Sequence, residues 1–450
     1  MVTRIKNNID ELSKSLNGVI HYKDISYSII RLLFFKYVVD NFIGASGDFS
    51  KVPLYVAARD ILGKREVSNS RETISEVLKC VDEYYGCNHS IYNYENIDEY
   101  EFVLFGNDLN RQKRTASADR FEYLRYTLFN INLTDNDGKI GELVVNALCN
   151  EILESSVRNG KQSGLFTTKS DLIKLVSKLL KVNPADRFCD FVAGVGLSTL
   201  TLTEKENEII HVEIREREAS IAMMLYIMAG YEKVRLICED SLKQIIPEIS
   251  ADKIFVDPPL SMRIETTPEN EYSDAALATI SRTFNDYLNK NKMDSTAVIA
   301  VPSSPLFQSK KQAISLREKI ARNVQAVIAL PPMWNGTMIG TNLIVLSSEK
   351  TNDIVFINAA EDGIKNKKTN DIMLTESMID KIIDVVDNKK TMAGFSSVIS
   401  IEHIRENEFN LVPVKYISAV KNNENIKTLE EVDNQLSSLY EQLFKMQFNK

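Results

Sequence analysis

Four acidic residues stand where short β-rich runs end, and their neighbours suit them to bind or to react. In "RFCDFVAGVGLSTL" (187–200), Asp190 is followed by Gly194 and Gly196 before a helical pattern starts. Glycine at such a turn lets backbone bend tightly and approach a ligand closely. The next run, "EIIHVE", ends on Glu213. It falls roughly twenty residues beyond the glycines, where an acid takes the two ribose hydroxyls of a nucleoside cofactor. The third run ends in "LICED", with Asp240 placed to meet an adenine amine. The fourth, "KIFVDPPL", ends on Asp257, followed by Pro258, Pro259 and Leu260. Proline restricts the backbone and removes a competing N–H, so this corner is either an ordinary strand-end turn or a catalytic tetrapeptide. Each feature is weak alone. Four in this order, each at a strand end, form a stronger signal.

A frame is needed to bring these acids together. After "RNGKQSG" (158–164), short β-rich runs at 187–192, 208–213, 234–239, 253–257, 296–301, 324–330 and 342–347 alternate with helical patterns such as 169–180, 215–228 and 312–323. The alternation predicts an α/β fold with a mostly parallel seven-stranded sheet covered by helices on both faces. Ligands in that architecture bind beyond the carboxyl ends of the strands, where the acids lie. The first third reads as helix after helix. "DISYSIIRLLFFKYVVDNFIG" opens on Asp24, a good N-cap, and stops at Gly44. Further helices are predicted around 71–85, 118–129 and 139–156. The last 23 residues hold a heptad seam of Leu429, Val432, Leu436, Leu439, Leu443 and Met446. That seam suits either a terminal helix docked on its own chain or a handle for a partner's helix. Three segments result: a helical one at 1–158, the α/β domain at 159–364, and an extension at 365–450.

Composition narrows the class. The chain has 450 residues, 44% apolar and 26% charged, with a formal net charge of −8, as expected of a soluble protein of two or three domains. An acidic chain gains little bulk attraction for nucleic acid. Any such binding must use local basic patches (110–114, 309–311, 365–368) or a basic partner. The five cysteines are scattered with no C-x-x-C, which predicts free thiols in a reducing compartment. The four histidines are also scattered, so no metal site is expected. No signal peptide or membrane span is expected, and the predicted location is cytoplasmic.

The order D-x-x-x-G-x-G, an acid, "EDSL" and "DPPL" resembles the S-adenosylmethionine-dependent amino-methyltransferases of DNA. "GLFTT" (164–168) is similar to their G-x-[FY]-[FY]-T-P cofactor motif, with Thr168 where proline is usual. The segment "AVIAVPSSPLF" to "TNLIVL" resembles the closing part of the modification subunits of type I restriction–modification systems. Both "LNGVIHYKDISYSIIRLLFFKYVVDNF" and "EFNLVPVKYI" also have counterparts there. The resemblance covers nearly the whole chain. It implies a Rossmann-like methyltransferase domain between a helical N-terminal domain and a helical C-terminal extension. It also implies S-adenosylmethionine as cofactor and methylation of adenine-N6 in DNA. The implied partners are a DNA-specificity subunit, with the 428–448 helix as a candidate handle, and in some systems a restriction subunit.

By the same resemblance Asp190, Gly194, Gly196, Glu213, Asp240, Phe166 and Thr167 hold the cofactor, and the 257–260 corner is catalytic. The adenine amine is a poor nucleophile because its lone pair is delocalised. Asp257 and the carbonyl of Pro258 would accept its two hydrogens and favour pyramidalisation. The base must first leave the duplex. Leu260 and Trp334, the single tryptophan, would line the base pocket. Two letters of this corner depart from the family pattern. Aspartate replaces the usual asparagine, and Leu260 replaces an aromatic whose stacking is worth about 1–3 kcal/mol. Asp257 is compatible with chemistry, but Leu260, Thr168 and "VAG" (192–194) motivate a rival expectation, a methyltransferase-like scaffold that has lost catalysis. Methylation of RNA or protein on a similar core is a weaker one.

Overall fold

Residues buried on both faces of a central sheet dominate the fold. The computed structural model describes residues 2–17, 25–43, 123, 126–134, 139–159, 168–243, 250–258, 262–268, 270–288, 294–334, 338–365 and 372–417. The strands are β1 (Arg187–Asp190), β2 (Glu208–Val212), β3 (Val234–Ile237), β4 (Lys253–Val256), β5 (Thr296–Val301), β6 (Val324–Leu330), β7 (Thr341–Ser347), β8 (Asp353–Asn358), β9 (Ile364–Lys365), β10 (Ile372–Met373) and β11 (Ser396–Ser400). Nine of them form one sheet in the order β11-β8-β6-β7-β5-β4-β1-β2-β3, while β9 and β10 make a separate ladder. β1 to β5 run parallel, β7 is antiparallel to both β5 and β6, and β11 is antiparallel to β8.

Side chains alternate between faces along each strand. Ile254 and Val256 join the core on one face and Phe255 the core on the other; Ala297, Ile299 and Val301 likewise oppose Val298 and Ala300. Such strands read as continuous apolar runs, as expected for a sheet covered on both sides. The seven predicted strands are all present, but the sheet has nine. β8 follows β7 after a short turn without an intervening helix, so the strand–helix alternation stops there. β11 is short, polar and mostly half-buried, and so leaves no apolar run to read. Its residues lie inside the segment read from sequence as the C-terminal extension. Helix Glu376–Asn388 from the same segment packs against helix Ser170–Leu180. Exposed ion pairs link them: Lys174–Glu376 at 2.7 Å, Lys178–Asp380 at 2.6 Å and Lys181–Asp387 at 2.9 Å. Solvent screens such exposed pairs, so they add little to stability.

Helices Ile25–Val38 and Lys139–Asn159 pack on helix Glu216–Met228 of the sheet layer, and helix Val2–Leu16 packs on those two. At Gly141, a Cβ would lie 1.9 Å from the Met228 carbonyl oxygen, so only glycine permits this approach. Helix Ile25–Val38 is buried along its whole length and continues as a π-turn, Val39–Ile43. Lys36 within it pairs with Asp40, and Asp40 also accepts the Leu133 N–H at 3.1 Å. Among the described residues no helix is long and apolar enough to cross a membrane. Asp24, Gly44, the helix predicted at 71–85 and the heptad seam at 428–448 lie outside the described residues.

The strand order places the site. From β1 the chain moves outward to β2 and β3, then returns to β4 on the other side of β1. The β1/β4 boundary is therefore a topological switch point, and its carboxyl end opens a crevice. Asp190 ends β1, and Asp257 immediately follows β4.

Candidate active site

The turn after β1 is built from glycine backbone. Gly194 has φ +56° and Gly196 φ +78°, a region costly for other residues. A Cβ at Gly196 would come within 2.7 Å of the Tyr226 hydroxyl. A Cβ at Gly194 would meet nothing within 4 Å, so that backbone faces open space. The Gly194 N–H donates to Glu213 Oε2 at 2.9 Å. The other oxygen of Glu213, Oε1, accepts from the Arg215 N–H at 2.9 Å and from Arg215 Nε at 3.2 Å. The glycine turn and the acid ending β2 are thus tied together.

Asp190 is buried, and its Oδ1 accepts the Val192 N–H at 3.1 Å. Burial pushes its carboxyl up to about 8; the negative charges of Asp257 and Glu213 push the same way, and the Val192 hydrogen bond opposes them. Asp240 stands beyond β3, where Oδ1 accepts the N–H groups of Leu242 at 3.1 Å and Lys243 at 3.3 Å. The next residue, Ser241, donates to the Phe191 carbonyl and ties this turn to the one after β1. Below the turn, His211 is fully buried against the Tyr226 hydroxyl at 3.0 Å. Burial depresses it to about 3, so it is neutral.

Asp257 is half-buried and takes two side-chain donors. The Thr168 hydroxyl donates to Oδ2 at 2.6 Å, and the Trp334 indole N–H donates to Oδ1 at 2.7 Å. Burial raises its pKa and the two hydrogen bonds oppose the rise. Thr168 in turn receives the Ser198 hydroxyl at 3.3 Å. Thr168 and Trp334 are joined by an isolated antiparallel bridge. Pro258 is buried.

The structure therefore brings Asp190, Gly194, Gly196, Glu213 and Asp257 to one crevice, with Asp240 at the end of the third strand. Phe166, Thr167, Pro259 and Leu260 lie outside the described residues. Trp334 is at the site, but its polar edge points at Asp257 rather than serving only as an apolar wall. Sequence reasoning missed the roles of Thr168 and Ser198. The available signal was Asp257 itself, since a half-buried carboxylate has no donor of its own and calls for partners.

A profile described as N-6 DNA Methylase matches residues 126–425. The chain belongs to the N-6 DNA methylase family. It is 23% identical over 470 aligned positions to the Type I restriction enzyme MjaVII methylase subunit of Methanocaldococcus jannaschii, covering 91% of this chain and 78% of that one. It is 24% identical to the Type I restriction enzyme MpnII methylase subunit of Mycoplasma pneumoniae, over 58% of this chain. The match spans about half, 54%, of that relative's length. A type I restriction-modification system methyltransferase subunit from Streptococcus thermophilus superposes with TM-score 0.68 at 18% identity, covering 93% of this chain and 100% of that one. At that identity the likeness establishes a shared fold. The fold of this N-6 DNA methylase is thus that of a solved methyltransferase subunit.

Proposed function

We propose that the chain transfers methyl from S-adenosylmethionine to N6 of an adenine everted from DNA. In this reading it acts as the methylase subunit of a type I-like restriction–modification system. The observation that carries the reading is Asp257 at the β1/β4 switch point, beside a glycine turn and two further carboxyl groups, in a member of this family.

The residues present fit the cofactor. Gly194 leaves open space over the turn, and Glu213 is held by the turn it would share with a ribose. The carboxyl groups of Glu213 and Asp257, with the buried Asp190 between them, make an acidic crevice that suits a cation. When bound, the cofactor supplies an electrophilic methyl on a positively charged sulfur. Everything else falls to the chain. Asp240, beyond β3, would take the adenine amine of the cofactor. Asp257 has two oxygens with about four lone-pair directions, of which Thr168 and Trp334 use two. The remainder can accept a hydrogen of the target amine, and the Pro258 carbonyl is the second acceptor. Together they draw the amine toward a pyramidal, nucleophilic geometry, and catalysis is largely positioning. The proton released from the amine passes to Asp257, which burial inclines to accept it, and on to solvent.

The acidic charge assigns DNA affinity and sequence reading to a partner, a DNA-specificity subunit. The 428–448 segment is its proposed handle, and a restriction subunit is a further partner. The free thiols at Cys149, Cys189 and Cys238 suit the reducing cytoplasm.

The test is methyl transfer by the chain purified with its host partner. Label from S-adenosylmethionine should appear in N6-methyladenine after digestion of DNA carrying the partner's site. Cofactor binding without label in DNA would turn the reading to an inactive scaffold. Label in RNA or protein would turn it to another substrate.

A further inference from the structure

We propose that Thr168 is a positioning residue for transfer: its hydroxyl, with the Trp334 indole, holds the Asp257 carboxylate in the plane from which it receives the target amine. The inference rests on the reading of Asp257 as the amine's acceptor. It adds a residue that no cofactor or base contact would reveal.

The geometry has three parts. First, the two donors approach opposite oxygens, Thr168 at Oδ2 (2.6 Å) and Trp334 at Oδ1 (2.7 Å). Both lengths are those of charge-assisted hydrogen bonds. One donor leaves a carboxylate free to swing about its last torsion, whereas two at opposite ends fix its plane. One lone-pair direction per oxygen then has a defined aim. Second, the donors are a single unit. Residues 168 and 334 are bridged in antiparallel fashion. Lys169 fastens the strap, its ammonium reaching the Pro332 carbonyl at 3.4 Å and the Ile372 carbonyl at 3.2 Å. Asp171 fastens it again by accepting the Leu374 N–H at 2.6 Å. The Met333 N–H donates to the Thr341 hydroxyl at 3.0 Å and fixes the other side. Third, Ser198, at the start of the helix after the glycine turn, donates to the Thr168 oxygen at 3.3 Å. That bond occupies the acceptor side of Thr168 and turns its proton to Asp257. It also links the cofactor turn to the target corner.

Of the acids at the strand ends, Asp190 is the one near Asp257, and it feels the charge of both Asp257 and Glu213. Lys169 spends its charge on carbonyls, and His211 is neutral. Against burial, the two hydrogen bonds favour the anionic form of the acceptor. Losing Thr168 both frees the carboxylate and raises the pH at which it ionises.

Thr168→Val keeps the shape and removes the hydroxyl, and Thr168→Ser restores it. In the partner complex, Thr168→Val should lower kcat about tenfold, the worth of a hydrogen bond to a charged group. KM for DNA and the calorimetric Kd for S-adenosylmethionine should stay within about twofold, and Thr168→Ser should recover most of kcat. Trp334 is the only tryptophan, so 5-fluorotryptophan gives one 19F resonance from the full chain, next to Asp257 and readable without turnover. Its pH titration should move upward by about one unit in Thr168→Val and return in Thr168→Ser. A wild-type rate and titration in Thr168→Val would overturn the proposal, as would a faster variant, which would make Thr168 a competitor of the amine. Asp257→Ala separates the two levels. Full transfer by Asp257→Ala removes the amine-acceptor reading itself, whereas an inactive Asp257→Ala beside a silent Thr168→Val removes only the role of Thr168.

Discussion

On the β1–β2 side of the crevice Glu213 takes backbone donors from Gly194, 19 residues away, and Arg215, 2 residues away. On the β4 side Asp257 takes side-chain donors from Thr168 and Trp334, 89 and 77 residues away. Backbone N–H groups come with any sequence that makes the turn. They need glycine where φ is positive, and little else is specified. Side-chain donors must be encoded at positions that only the finished fold brings together. On the proposed roles, the cofactor half is therefore robust and locally written, and the target half is exact in geometry and written at a distance.

The sharpest way to break this division is to remove one carboxylate from each half. Asp257→Ala should lower transfer by about two to three orders of magnitude, the scale of a lost transition-state hydrogen bond. Its calorimetric affinity for S-adenosylmethionine should stay within about threefold. Glu213→Ala should do the reverse, weakening affinity by about 10- to 100-fold through the loss of charged hydrogen bonds. At saturating cofactor its kcat should remain near wild type. If both variants lose the same quantity, the two halves act as one unit and the comparison fails.

Asp190 lies between the halves, and its effect should be read in stability. Its folded pKa of about 8 lies above the ordinary 3.8. Between those two values the folded chain holds a proton that the unfolded chain has released. Stability should therefore fall as pH rises through that window and level off above it. The Asp190→Asn variant keeps an acceptor for the Val192 N–H but carries no titrating group at this position. It should lose the slope and exceed wild type at pH 8 by about 2–4 kcal/mol, measured as denaturant midpoints at about pH 5, 6.5 and 8. Above about pH 8, where Asp190 is charged, the variant should also bind the cationic cofactor more weakly. An unchanged slope would show that the crevice's excess charge is stored elsewhere.

This contrast also explains what the sequence makes legible. Strand runs such as Thr296–Val301 and Val324–Leu330 match the structure to the residue, because buried strands leave unbroken apolar runs. Asp190, Gly194, Gly196 and Glu213 can be grouped from the sequence, because the turn that unites them is contiguous or nearly so. β11 cannot be read in the same way, because its partner, β8, supplies the register while its own residues are polar and half-buried. Thr168 is visible only as a departure from a proline. Its hydroxyl gains meaning when the 168 and 334 segments are bridged, a contact that no local pattern encodes.

The smallest expected effect divides the two readings of Trp334. If the residue serves only as an aromatic wall for the everted base, Trp334→Phe keeps a ring and should leave kcat within about twofold. If its N–H matters, the same change removes one of the two donors to Asp257 while Thr168 retains the other. A partial loss of about three- to tenfold then follows, with the acidic limb of the pH–rate profile moving upward. Trp334→Leu removes both ring and donor. A further fall from Phe to Leu measures the ring, expected within the range of base stacking, about 1–3 kcal/mol. Equal rates for Phe and Leu, both below wild type, would assign the whole effect to the hydrogen bond. The target half would then depend on distant side-chain donors alone, which is the stronger form of the contrast. A Phe variant equal to wild type, beside a defective Leu variant, would leave Thr168 as the sole donor that matters and confine the long-range encoding to one hydroxyl.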